Sequence, residues 1–217
     1  MDLYYTAGSA PCRAVLLVAA ALDIQLNLKE LNLQASEHMT PEFLKLNPQH
    51  TVPTLVDDGF SLWESRSISR YLIRKYNNKK LYPEDIKTKA LIDQRLDFDM
   101  GTLYPRFGNF IYPQIFAGKP ADESLFQKFE EALDFFNSFL KGHKYAVGDT
   151  LTLADLSLVA TVSTIDAVGI NLESYPRVQQ WFELVKSTAP GYEKANEKGL
   201  QKFKALVGHS IKQKTEL

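Results

Sequence analysis

The stretch DLYYTAGSAPCRAVLLVAAAL, residues 2–22, decides more about this fold than any other part of the chain. DLYY reads as a short strand and Gly8-Ser9-Ala10 as the turn that leaves it. Pro11 stands where a helix takes its first residue, because proline has no N–H to lose there and its φ is already helical. The run from Ala14 to Leu22 imitates the apolar region of a secretory signal. A strand before it and a helix-opening proline argue instead for a buried helix, and the run is too short to span a bilayer.

The rest of the first third supplies the sheet. NLKELNL reads as a second strand and PEFLKLN as a helical turn, and in TVPTLVDDGFSLWE the pair Asp58-Gly59 joins two apolar-rich runs as a hairpin. A helix follows with Ile68, Tyr71, Leu72 and Tyr76 on one face and Ser65 placed to cap it. The order is β-α-β-α-β-β-α over residues 1–77, an α/β unit. Residues 78–86 break both periodicities and read as a linker, and residues 87–217 read as all-helical. There Leu91, Leu96, Met100, Leu103, Phe107, Phe110 and Ile111 trace one stripe, with Pro105 and Pro113 expected to kink the helix. Further helices are expected over Glu123 to Leu140, Tyr175 to Lys186 and Leu200 to Val207. Thr152 and Asp155 form a capping box, with Leu151 placed to pack on Leu156, so Asp155 is structural.

Charge and composition narrow the function. The 217 residues carry 25 basic and 26 acidic side chains, a formal net charge of −1, which gives no electrostatic footprint for nucleic acid or an anionic membrane. A small soluble ligand fits better. One cysteine excludes an internal disulfide, and four histidines without paired spacing build no recognisable metal site. The expectation is a cytoplasmic protein in a reducing compartment, with no metal cofactor.

Three clusters can carry chemistry, and each also has a plain structural reading. Ser9 either caps the first helix or lies beside its positive end, where free N–H groups and the dipole favour an anion. Cys12 is either a redox thiol at a helix start or a small buried hydrophobe; it has no partner cysteine, so a dithiol cycle is impossible. Val52-Pro53 is either an ordinary edge-strand proline or a cis peptide at a strand entry. Glu64-Ser65-Arg66 opens a helix with an acceptor for an ammonium, a hydroxyl and N–H for a carboxylate, and a cation; alone it reads as a solvated cap. A serine nucleophile needs a base and no Gly-x-Ser-x-Gly elbow is present, which argues against a serine hydrolase.

Taken together, GSAPCR, LNPQHTVPTL, DDGFSLWESRSI, the helix carrying FDMGTLY, and GDTLTLADLSL resemble the cytosolic glutathione transferases, and among them the insect delta class. The resemblance runs nearly the whole chain, in order. It implies a thioredoxin-like domain over residues 1–77, an all-helical domain beyond, a homodimer, and glutathione as co-substrate. Ser9 takes the place of the family's catalytic serine, which hydrogen-bonds the glutathione sulfur and stabilises its thiolate. Val52, beside a cis Pro53, would pair with the cysteinyl unit. Glu64 and Ser65 would hold the γ-glutamyl end with Arg66 adding charge, and His38 and His50 would reach the glycyl carboxylate. The implied reaction is conjugation to hydrophobic electrophiles in detoxification, with peroxide reduction or dehydrochlorination as side activities. A glutathione-dependent reductase acting through Cys12 and a non-catalytic ligand binder are the competing readings.

Tyr104, Phe107, Tyr112, Phe116 and Phe203 are the expected wall of the second-substrate pocket, although aromatic stripes at helical spacing equally mean packing. Two positions depart from the resemblance. Ala7 replaces a proline common before the glycine-serine turn, which would loosen Ser9's loop. Asp97 stands where delta-class chains often carry an aromatic residue near the dimer interface. Asp99 is expected to reach the partner subunit's glutathione.

Overall fold

A computed structural model describes the backbone of residues 1–215 and the side chains of residues 1–208. Strands β1 (Asp2–Tyr5), β2 (Asn27–Glu30), β3 (Thr54–Asp57) and β4 (Phe60–Trp63) form one mixed sheet in the order β2-β1-β3-β4. β1 runs parallel to β2 and antiparallel to β3, and β3 runs antiparallel to β4. The hairpin turn has Asp58 at φ 48° and Gly59 at φ 84°, the two left-handed residues that a right-twisted hairpin requires. Helix α1 (Ala10–Ala21) follows β1, α2 (Pro41–Leu46) follows a single 3-10 turn at Glu37–Met39, and α3 (Ser65–Lys75) follows β4. The expected βαβαββα order is observed.

Helix α1 is covered on both sides. It packs against α3 and also against α7 (Leu153–Ala167) of the helical remainder. Cys12, Val15, Leu17 and Val18 are fully buried as a result. Every residue of α7 from Leu153 to Ile165 is buried, because α4 (Ile86–Phe98), α8 (Pro176–Thr188) and α9 (Lys198–Thr215) pack on it together with α1, while α5 (Tyr104–Ala117) packs on α6 (Glu123–Phe139).

The long helix departs from the sequence expectation in an instructive way. A π-type turn, Asp99–Leu103, separates α4 from α5, and the Tyr104 N–H donates to the Asp99 carbonyl. The extra residue rotates the apolar stripe, so Leu91 and Met100 are 46% and 44% exposed while Ile92 joins Leu96, Leu103 and Phe107 in the core. Pro105 sits in the first turn of α5, immediately after that irregularity, so its missing N–H falls where the regular ladder is already interrupted. Ser65 is the first residue of α3 rather than its cap. The cap is Glu64, at φ 67°, with no side-chain hydrogen bond to the helix.

The connection from α3 to α4 is docked. Leu81 and Tyr82 are buried, and the Leu153 N–H donates to the Leu81 carbonyl at 2.9 Å. Next to that contact the expected capping box opens α7. Asp155 is fully buried and its Oδ2 accepts from the Thr152 N–H at 2.8 Å and the Thr152 hydroxyl at 2.9 Å. Its Oδ1 accepts from the Ala146 N–H at 2.7 Å and the Trp181 Nε1–H at 2.8 Å, so one carboxylate joins the α6–α7 loop, α7 and α8.

Asp155→Ala strands these donors in the interior, where each unpaired group costs about 1–3 kcal/mol. The expected loss is about 3 kcal/mol of unfolding free energy, read as a lowered urea midpoint at unchanged slope.

Candidate active site

Sheet register collects the sequence clusters at one end of the molecule. Tyr5 pairs with Glu30, Tyr4 with Thr54, and Thr54 with Trp63. The segments that continue these strands are the Thr6–Ser9 turn after β1, the loop from Leu31 after β2, Val52-Pro53 before β3, and Glu64-Ser65 after β4. All four therefore leave the same edge of the sheet side by side.

The turn places Ser9 as the N-cap of α1, with extended backbone dihedrals. The Ser9 N–H donates to the Thr6 carbonyl at 3.2 Å, and Ser9 Oγ accepts the Cys12 N–H at 3.4 Å. Capping uses a lone pair of the hydroxyl and leaves its O–H as a donor. Ser9 lines a cleft of about 780 Å³ together with Tyr104, Tyr112, Phe116, Phe203 and Leu206. The opposite lip comes from the segment after β2, including Leu31, Leu33 and Glu37. An exposed ion pair between Lys202 and Glu30, at 2.8 Å, crosses from α9 to that lip.

Four of the five expected wall residues thus line the cleft with Ser9, and Phe107 does not. It is fully buried, with ring centroids 5.7 Å from Phe129 and 5.9 Å from Tyr112, and so supports the wall from behind. The Tyr104 and Tyr112 hydroxyls lie 2.9 Å apart. Burial pushes both phenols above their ordinary pKa, so they are neutral, and a pair sharing one hydrogen bond retains one O–H for a ligand.

The polar residues along the sheet edge have distinct surroundings. Val52-Pro53 is a cis peptide. Its loop is held by the buried Asn47, whose Nδ2 donates to the Thr51 carbonyl at 3.0 Å and to Thr54 Oγ1 at 2.9 Å. Glu64 is exposed. Ser65 is buried and opens α3, where first-turn N–H groups have no helical acceptor. His38 and His50 have ring centroids 6.2 Å apart, and His38 Nδ1 is buried without a hydrogen-bond partner.

Arg66 and Asp99 meet in the interior. Arg66 is 7% exposed and turned inward, where it donates to Ser65 Oγ at 2.9 Å and pairs with Asp99. Asp99 is fully buried and also accepts from the hydroxyls of Ser157 at 2.8 Å and Thr161 at 2.7 Å. Its hydrogen-bond partners among the described residues all lie within its own chain. Arg66 in turn holds the Ser65 hydroxyl.

Cys12 is fully buried, and burial pushes its thiol up to about 11 against smaller opposing effects of Ser9 and Thr6. A buried thiol of that basicity is a hydrophobe at neutral pH, so the reductase reading loses its nucleophile. Among the described residues no three His, Cys, Asp or Glu side chains are grouped to hold a metal, and no helix is long and apolar enough to cross a membrane. Sequence reasoning missed Asn47, Leu33, Lys202 and Leu206. Asn-Pro in NPQHTVP was a visible turn signal for the first; the others are ordinary loop or helix residues.

Comparison with known proteins agrees with this architecture. Residues 3–80 match the family model for the glutathione S-transferase N-terminal domain, and residues 91–188 match that for the C-terminal domain. A delta-class glutathione transferase of Nilaparvata lugens is 50% identical, with a TM-score of 0.94 over 96% of this chain and 99% of that one. A glutathione transferase of Bombyx mori is 43% identical, with a TM-score of 0.91 over 94% and 96% of the two chains. An epsilon-class glutathione S-transferase of the housefly, Musca domestica, is 38% identical, with a TM-score of 0.89 over 96% and 97%. A thioredoxin-like sheet joined to a helical body is the architecture this chain shares with those transferases. The chain belongs to the glutathione S-transferase family, resembles its insect delta class, and its reaction is glutathione conjugation.

Asp99→Ala leaves the Arg66 guanidinium buried without its counter-charge, and a loss of about 3–5 kcal/mol in chemical denaturation is expected. The Cys12 thiol, with on the order of 0.1% thiolate at pH 8 and no exposure, should ignore an aromatic disulfide reagent in the native protein and react stoichiometrically in urea.

Proposed function

We propose that this transferase conjugates the glutathione thiolate to hydrophobic electrophiles, with the Ser9 hydroxyl donating a hydrogen bond to the sulfur. The supporting observation is that Ser9 stands at the start of α1 on the wall of an apolar cleft, with aromatic side chains of α5 and α9 facing it. A thiolate there receives the hydroxyl and the positive end of the helix. The electrophile lies against Tyr104, Tyr112, Phe116 and Phe203. Sulfur attacks its electrophilic carbon, and the displaced electron pair leaves with a halide or collects a proton. The unshared O–H of the tyrosine pair is available to a group that gains negative charge. Peroxide reduction and dehydrochlorination would draw on the same activated sulfur.

The tripeptide lies along the sheet edge. Val52 offers backbone groups to its cysteinyl unit beside Pro53, Glu64 takes its ammonium, and the Ser65 hydroxyl and first-turn N–H groups take the γ-glutamyl carboxylate. His38 and His50 take the glycyl carboxylate. Arg66 acts on this set through Ser65.

Magnitudes limit what Ser9 contributes. A cysteine-like thiol of pKa about 8.5 is about 3% ionised at pH 7, and lowering it by about two units ionises about three quarters, for about 2.7 kcal/mol. That is about 25-fold more thiolate, yet nucleophilicity falls about eightfold along a Brønsted slope near 0.4–0.5, leaving about threefold. Holding the electrophile against the sulfur supplies the larger share, since effective molarity can reach about 10⁵ M or more.

Two copies are proposed to pair through the outer side of α4, where Leu91 and Met100 are half exposed around Asp97. An interface there brings two Asp97 carboxylates towards the two-fold axis, where solvation must offset their repulsion. The proposed setting is the cytosol.

In Ser9→Ala, turnover with a chlorinated aromatic electrophile should fall and the spectroscopically titrated pKa of bound glutathione should rise by about two units. The two changes must appear together; turnover lost with the pKa unmoved removes Ser9 from this role.

A further inference from the structure

Ala7 was expected to leave the Thr6–Ser9 turn loose, and the structure shows what holds it. The first turn of α9 lies directly against it. A β-carbon at Gly199 would overlap the Ala7 carbonyl oxygen and stand 2.9 Å from Arg13 Cδ. A β-carbon at Gly8 would meet the Phe203 backbone and Cβ at 3.5–3.6 Å. The residues on either side of Ser9's approach are therefore packed backbone to backbone on residues 199–203, at a separation that only glycine at 199 permits.

The start of α9 is itself fixed. A second π-type turn, Glu193–Glu197, precedes it and carries the buried Asn196. The Asn196 side chain accepts from the Arg13 guanidinium and donates to Ser163 Oγ at 3.1 Å. Arg13 lies one turn after Ser9 on α1, and its own N–H donates to the Ser9 carbonyl at 3.0 Å. The links close a loop of contacts: Ser9 to Arg13 through α1, Arg13 to Asn196, and Gly199 back to Ala7.

We propose that Gly199 is a positioning residue for the conjugation reaction: by admitting α9 against the Ala7 carbonyl it sets the direction of the Ser9 hydroxyl. The inference rests on the proposed role of Ser9. It assigns to α9 a function separate from lining the cleft, and it explains how this chain manages without a rigid residue at position 7.

The test compares Gly199→Ala with Gly208→Ala, on the same helix, where an added β-carbon meets nothing within 4 Å. Bound-thiol pKa, kcat, and the glutathione KM are read for both, with Ser9→Ala as reference. Gly199→Ala should raise the bound-thiol pKa by about one unit, which is about tenfold less thiolate well below the pKa, and lower kcat. Its glutathione KM should move less than about threefold, because the other tripeptide contacts lie along the sheet edge. Gly208→Ala should change none of these. If Gly199→Ala does not fold, Asn196→Ala, which frees the start of α9 without adding bulk at 199, should raise the same pKa by a smaller amount. An unmoved pKa in the folded variant overturns the proposal, as does an equal shift in Gly208→Ala. An unmoved pKa in Ser9→Ala overturns the underlying role of Ser9 instead, so the two failures are distinguishable.

Discussion

The junction of α1, α7 and α9 is arranged around a buried guanidinium that has no carboxylate partner among the described residues. Arg13 is fully buried, and burial pushes its pKa down to about 10, so it remains a cation at neutral pH. Its partners are neutral: Ser163 Oγ at 3.0 Å, the Ala160 carbonyl at 3.2 Å, Thr164 and Asn196. A desolvated charge is tolerable only where several oriented dipoles replace water. Here they come from α7 and from the turn before α9, so α1, α7 and α9 must meet in one geometry for the charge to be accommodated. The sheet unit and the helical body are therefore locked in register at this point, and the cleft between them inherits that register.

The Asp99 cluster applies the same logic with opposite sign. A fully buried carboxylate takes donors from α3 and α7, and the arginine it neutralises hands order on to Ser65. One buried cation thus sits behind the turn that presents Ser9, and one buried anion sits behind the helix start that presents Ser65. Ser9 and Ser65 are each backed by a charge that no solvent reaches, which gives polar side chains fixed directions in an otherwise apolar interior.

What could be read from the sequence was local. Asp58-Gly59, Pro11 and Thr152 with Asp155 each act over a few residues, and each behaved as its chemistry dictates. Ser65 looked like a cap because serine is a good one. The backbone at Glu64, however, is set by where β4 ends and α3 must begin, which propensity does not encode. Phe107 and Phe116 are indistinguishable by spacing, yet one is fully buried and the other is 57% exposed. Arg13 and Asp99 have their decisive partners across the fold, up to 183 residues away for Arg13, so the sequence offered only polar letters in apolar company. The clusters Val52-Pro53 and Glu64-Ser65 came side by side only through strand register.

The π-type turn at Asp99–Leu103 gives one long helix two angular phases. Upstream of it the inward face is chosen by the core; downstream, the face is chosen by the cleft, and a single surplus residue accounts for the offset. Gain or loss of one amino acid in that segment would swing the α5 part of the aromatic wall, Tyr104, Tyr112 and Phe116, about the helix axis by roughly 100°, while Phe203 on α9 would keep its place. Ligand preference in such a protein can be rewritten by chain length at one point, with no exchange of side chains in the wall itself.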